Sequence, residues 1–132
     1  MNTLRQSFSC DGFMRTGSVT PEALARSAAE IGYAGIDLVE QTHWQIIRDH
    51  GLQIVSITGH ALAPEGLNKR ENLPAIARDI RARLDLAVKW NIPYLLCFSG
   101  NRVPGVDDAS AVEIVAENVQ ALVEIVAGSG VT

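Results

Sequence analysis

From Leu4 to Gly128 the chain alternates strand-like and helix-like runs four times, and at Gly130-Val131-Thr132 it begins what reads as a fifth strand. Few sequence features constrain a fold more. A strand that returns parallel through a helix crosses over right-handedly in nearly all cases, so repeated units of this kind build a parallel sheet carrying packed helices. The 132 residues are enough for one domain with a moderate core, and no low-complexity tract or linker divides 1–132.

The first strand spans Leu4–Cys10. Thr20-Pro21-Glu22 then predicts a helix start, with a hydroxyl cap, proline at the first helical position and a carboxylate at the positive end of the dipole. Leu24, Ala28 and Ile31 give that helix an apolar stripe, and Gly32 ends it. Ala34–Glu40 is the second strand. A capping box of Thr42 with Gln45 opens a short helix that buries Trp44 and Ile47 and closes at Gly51.

Gln53–His60 forms the third strand with a period of two, Val55 and Ile57 on one side and Ser56, Thr58 and His60 on the other. The connection that follows, 61–72, contains Pro64, Gly66 and Asn68 and is long for a strand-to-helix loop. The third helix runs over Leu73–Trp90 with a stripe of Ile76, Ile80, Leu84 and Val88 and a wet face of Arg81, Asp85 and Lys89. Ile92–Asn101, the most apolar run, predicts a strand covered on both faces, with Cys97 buried inside it. A second capping box, Ser110 with Glu113, opens the fourth helix, whose Val112, Val115, Val119, Leu122 and Val126 lead to Gly128.

Two α/β architectures fit this pattern, a doubly wound sheet and a barrel. The nucleotide-binding doubly wound sheet carries a glycine fingerprint in its first turn, which Asp11-Gly12-Phe13-Met14-Arg15-Thr16-Gly17 does not spell. The expected fold class is therefore α/β, the N-terminal half of a (βα)8 TIM barrel built from four parallel βα units over residues 1–132.

Composition excludes several functions. A net charge of −4 and a pI near 5.3 argue against a nucleic-acid or anionic-membrane partner. Aromatics at 5% are too few for a base-stacking platform. No apolar run is long enough to cross a bilayer, and Met1–Gln6 lacks the pattern of a signal peptide. Cys10 and Cys97 match no metal spacing, so reduced thiols and a cytoplasmic location are expected. No paired-cysteine or His-x-x-x-His pattern, phosphate loop or nucleophile elbow is present.

In either architecture chemistry gathers at the C-terminal ends of the strands. Those ends supply Ser9-Cys10-Asp11 with Phe13, Asp37 with Glu40, His60, and Ser99-Gly100-Asn101-Arg102. Each has a plain structural reading as well. Asp37 inside an apolar strand is either paired or turned toward substrate or metal, because an unpaired buried charge is costly. Glu40 is either an ordinary loop carboxylate or a partner to the residues that meet substrate, and Lys69, Arg70 and Glu71 read as a solvated cluster. Arg102 is either a solvated loop residue or a grip for a carboxylate through two parallel hydrogen bonds. His43 and His50 are read as structural.

The segments Ile31-Gly32-Tyr33-Ala34-Gly35-Ile36-Asp37-Leu38 and Leu96-Cys97-Phe98-Ser99-Gly100-Asn101-Arg102, with the strand ending in His60, resemble the hydroxypyruvate isomerase branch of the xylose-isomerase-like TIM barrels. The first segment is shared across sugar isomerases and epimerases of that fold; the second points to the branch. The resemblance implies aldose–ketose isomerisation of a small hydroxy-carbonyl compound through an enediolate, with a glutamate moving the proton and a divalent cation, Mg or Mn, polarising the oxygens. In such families the metal ligands and acid/base glutamates lie on later strands, so no catalytic and no metal-ligating residue is expected in this chain. What the resemblance carries over is the supporting wall of the pocket, Phe13, Asp37, His60, Asn101 and Arg102, which would contact substrate or hold the residues that do.

The expected chain is thus inactive by itself and self-associating through open sheet edges. Two alternatives stand beside the isomerase: a sugar epimerase of the same fold, and a non-catalytic half-barrel that self-associates. An abasic-site endonuclease of that fold is disfavoured by the acidic charge.

Overall fold

The computed structural model describes residues 4–15, 17–61 and 66–132; expectations resting on Met1–Thr3, Thr16 and Pro64 lie outside the described residues. The chain divides into two compact units, 1–57 and 58–132.

The first unit contains β1 (Ser7–Ser9), a one-turn α1 (Asp11–Met14), α2 (Pro21–Ile31), β2 (Gly35–Asp37), a 3-10 turn over Gln41–His43, α3 (Trp44–Asp49) and β3 (Gln53–Thr58), whose last residue opens the second unit. β2 lies between β1 and β3 and pairs parallel with both. Gly35 sits where the strands meet closely: a Cβ there would fall 2.4 Å from the Gln53 carbonyl oxygen and 2.5 Å from Val55. No side chain fits without moving backbone.

α2 starts as its sequence predicts. The Thr20 hydroxyl accepts the Ala23 N–H at 3.2 Å, Pro21 occupies the first turn, and Gly32 closes the helix by donating to Ala28 and Ala29. Leu24, Ala25 and Ala28 are buried. Ile31, expected in the stripe, is 74% exposed; it holds the last helical position of α2. Trp44 and Ile47 are buried, and the indole N–H of Trp44 donates to Val39 O at 2.8 Å. The Thr42–Gln45 box does not form. Thr42 falls within the 3-10 turn, and the Gln45 amide donates to Asp49 instead.

β3 departs from strict alternation. Its register on β2 slips by one residue, so that Ile36 faces Ile54 but Asp37 faces Ser56. Ile54, Ser56 and Ile57 are all buried, and the polar side expected to include Ser56 and His60 is covered. A bulge of this kind gives one strand an extra residue and re-aims the side chains beyond it.

The second unit holds a 3-10 turn over Arg70–Asn72, α4 (Leu73–Trp90), β4 (Tyr94–Leu96) and α5 (Asp108–Val126). The four parallel strands follow chain order, and Gly59, just past β3, donates to Leu96 O of β4 at 2.8 Å. The core joins Leu67, Ile76, Ile80 and Leu122, with Leu73, Leu95, Val115 and Ile125 packed against it. α4 has the expected ends. Its buried line continues through Ala87, whereas Val88, eight residues past Ile80 and so rotated about 80° from it, is exposed.

α5 is capped earlier than Ser110. Asp107 is its N-cap, and Ser110 supplies both the N–H (3.0 Å) and the hydroxyl (2.7 Å) that the Asp107 carboxylate accepts, so the Ser110–Glu113 box is not formed. Leu122 is buried; Val112, Val119 and Val123 are exposed.

β4 is shorter and barer than its apolar sequence predicts, with Tyr94 50% exposed and Cys97 exposed rather than buried. Among the described residues, Thr132 lies along its outer edge. Thr132 N–H donates to Pro93 O at 2.9 Å and Leu95 N–H donates to Thr132 O at 2.8 Å, the hydrogen bonds of a parallel bridge. Residues 97–101 leave the ladder because their partners are a side chain and a loop.

Candidate functional site

In the first unit, the residues past β2 form a tight corner. The Asp37 carboxylate, half-buried, accepts the Ser56 hydroxyl at 2.7 Å, a contact created by the bulge in β3. Leu38 follows in the left-handed region at φ +58° and donates its N–H to Ser56 O at 2.9 Å. A branched aliphatic residue there carries backbone strain. Cys10 N–H donates to Asp37 O at 3.3 Å, and the Cys10 thiol donates to Leu38 O at 3.4 Å. Burial pushes the Cys10 thiol up, with Asp11, Glu40 and Asp37 adding to the rise, so it stays protonated and a poor nucleophile.

Phe13 rides on α1, directly after Cys10, and is 52% exposed. It meets Phe8 edge-on at 5.6 Å between centroids, and Phe8 meets Tyr33 at 4.8 Å. Glu40 is exposed.

In the second unit, the tip beyond β4 is held from several directions. His60 is only 3% exposed. Its Nε2 accepts the Phe98 N–H at 2.9 Å, so that nitrogen carries no proton; Nδ1 carries it and donates to Ala61 O at 2.7 Å. Both ring nitrogens are spent on backbone. The loop adds Leu67 N–H to Phe98 O at 3.0 Å and Asn68 N–H to Ser99 O at 2.8 Å.

Asn101 and Arg102 are exposed beyond this tip. The Arg102 guanidinium already holds a carboxylate: Nη2 donates to both Asp108 oxygens at 2.6 Å and Nε to one of them at 3.2 Å. Both partners are exposed, so the pair is well hydrated and readily exchanged. A groove of about 560 Å³ runs past Asn68, Arg102, Val103, Val106, Val112 and Val119. A second, of about 530 Å³, is lined by Thr58, His60, Asp79, Arg83 and Leu86.

The expected site residues therefore fall into two sets. Asp37 and Phe13 flank Cys10 in the first unit, and His60, Asn101 and Arg102 flank the 97–102 tip in the second. Sequence reasoning passed over Ser56, Asn68, Asp108 and Asn118. Asn118 carried a readable signal: it is the polar member of a Val115, Asn118, Leu122 line, and its amide donates to Leu67 O at 2.8 Å. Among the described residues, no three His, Cys, Asp or Glu side chains gather to hold a metal ion. No described helix is long and apolar enough to cross a membrane.

No protein-family model matches the sequence, and no curated protein is significantly similar. Solved structures do match. The chain aligns over 97% of its length with D-psicose 3-epimerase from Clostridium cellulolyticum H10 solved with D-tagatose (TM-score 0.64, 11% identity, 50% of that chain). It aligns over 85% with D-allulose 3-epimerase from Methylomonas sp. in complex with D-allulose (TM-score 0.58, 14% identity, 43% of that chain). A third match is a xylose isomerase-like TIM barrel protein from Mycobacterium smegmatis in complex with magnesium (TM-score 0.58, 18% identity, 98% of this chain, 54% of that one). The fold is thus α/β with four parallel strands, similar to part of a xylose isomerase-like TIM barrel, and the chain spans about half the length of the structures it matches.

Proposed function

We propose that this chain is the N-terminal half of a sugar epimerase- or isomerase-type barrel that acts on a small hydroxy-carbonyl compound. The observation that carries the reading is the alignment of nearly the whole chain with half of a ketose 3-epimerase. The epimerase reading has the named sugar epimerases among the matched structures behind it. The hydroxypyruvate isomerase reading rests on the resemblance of Leu96–Arg102, and its substrate would present a carboxylate to Arg102.

In this proposal each unit contributes support rather than chemistry. Arg102 exchanges the Asp108 carboxylate for a substrate oxygen pair, using the same planar fork. Asp37 is an acceptor already oriented by Ser56. His60 has neither a free lone pair nor a free N–H, so its part is to hold the tip. The proton transfer between carbons, and the divalent cation that the resemblance implies, belong to groups outside these residues.

The test is a substrate panel run on protein from the complete coding frame, with Mg2+ or Mn2+ present. Either C3 epimerisation of D-allulose or conversion of hydroxypyruvate is expected, falling at least about tenfold in Arg102→Ala, while the 132-residue chain alone is inert. Turnover by the isolated chain, or no turnover of either compound by the complete protein, overturns the proposal.

A further inference from the structure

We infer that Asn68 is the positioning residue of the Asn101-Arg102 tip, a clasp that sets where those two side chains project. The inference rests on the reading that Asn101 and Arg102 contact substrate.

Asn68 is buried, with only 7% of the residue exposed. Its Nδ2 donates to Asn101 O at 2.6 Å. The opposite amide orientation would set two oxygens against each other, so the assignment is fixed by chemistry. Its Oδ1 has no partner among the described residues. A buried amide whose nitrogen makes this short bond while its oxygen has no partner is held for the bond it makes.

The surroundings are built around that bond. Gly100 adopts φ +96°, and a Cβ on it would fall 2.5 Å from Asn68 Oδ1 and 2.9 Å from Gly66 Cα. Two glycines therefore let loop and tip touch backbone to backbone. The loop is anchored in turn by Asn72 Nδ2 donating to Gly66 O at 2.9 Å and by Asn118 Nδ2 donating to Leu67 O. The chain of contacts runs from α5 through the loop to the Asn101 carbonyl.

Asn68→Asp keeps the shape and removes the donor, and the 15N-labelled 132-residue chain reads the result. In the parent, backbone order parameters at Asn101 and Arg102 should match rigid structure, about 0.85; in Asn68→Asp they should fall below about 0.6 while α4 and α5 keep theirs. A role in stability alone would leave the tip no looser than the rest. An unchanged tip, or uniform loosening of α4 and α5, overturns the clasp. The coupling across the Asn68 Nδ2–Asn101 carbonyl hydrogen bond is measured in the parent as well, and its absence overturns the clasp even where the variant does not fold. Titration with hydroxypyruvate and with D-allulose then addresses the substrate. Shifts at Arg102 that weaken at least tenfold in Asn68→Asp support the positioning role. No shift in the parent with either compound removes the substrate reading alone, the clasp being decided by the order parameters.

Discussion

An imidazole at a strand end invites a substrate-contact reading, and in the structure the nitrogens of His60 touch backbone. Nε2 accepts from Phe98 and Nδ1–H donates to Ala61, so the geometry sets one tautomer. Two outcomes follow. Long-range 15N spectra should show Nδ1 protonated and Nε2 bare at neutral pH; the reverse tautomer would contradict the geometry. His60→Ala should cost about 1 kcal/mol or more in urea unfolding, because it leaves the part-buried Phe98 N–H without its acceptor. Asp37 makes a related point. The sequence left open whether it was paired or turned toward a ligand, and the Ser56 hydroxyl supplies the partner. That contact depends on a bulge no periodicity could announce, since alternation assumes an unbroken register.

Helices were legible where local chemistry decides them. Thr20-Pro21 and Gly32 set the ends of α2, and the run Leu73–Trp90 matched α4 residue for residue, because caps and apolar spacing act within a few neighbours. Strand ends were not legible. The apolar run 92–101 yields only Tyr94–Leu96, since the rest bonds to His60 and to the 66–68 loop, partners remote in sequence. The start of α5 was misplaced for a nearer reason: both Asp107 and Ser110 are good caps, and the carboxylate takes the earlier position with Ser110 as its donor. Those bonds, the Ser110 backbone N–H foremost, hold the Asp107 carboxyl below its ordinary value of 3.8. The folded value being the lower one, the cap's contribution is complete above 3.8 and is lost as pH falls through the folded value. An NMR titration should therefore place Asp107 below 3.8, with the Ser110 amide moving in step, and Asp107→Asn should abolish that step. A midpoint at or above 3.8 would refute the assignment.

Over the whole molecule, apolar side chains remain uncovered in both units: Leu4, Phe13 and Ile31 in the first, Val88, Tyr94, Val112, Val119 and Val123 in the second. β1 and β4 are the end strands of the sheet order. Exposed apolar surface and open strand edges favour association. Light scattering behind gel filtration should accordingly give a mass above the 14.2 kDa of one chain, rising with concentration. A stable, well-folded species of 14.2 kDa at every concentration would end that expectation. The hydrogen bonds at Thr132 show one sense in which a strand lies on this edge. They lay a strand along β4 in the same direction as β4, and a two-fold axis that brought this edge against its own copy would make the strands antiparallel. Like edges could therefore meet only antiparallel, against the sense of the bonds already made there. A strand that keeps the sense of the Thr132 bridge points the same way as β4, and among identical chains a parallel partner for that edge is β1, a head-to-tail contact that repeats rather than closes.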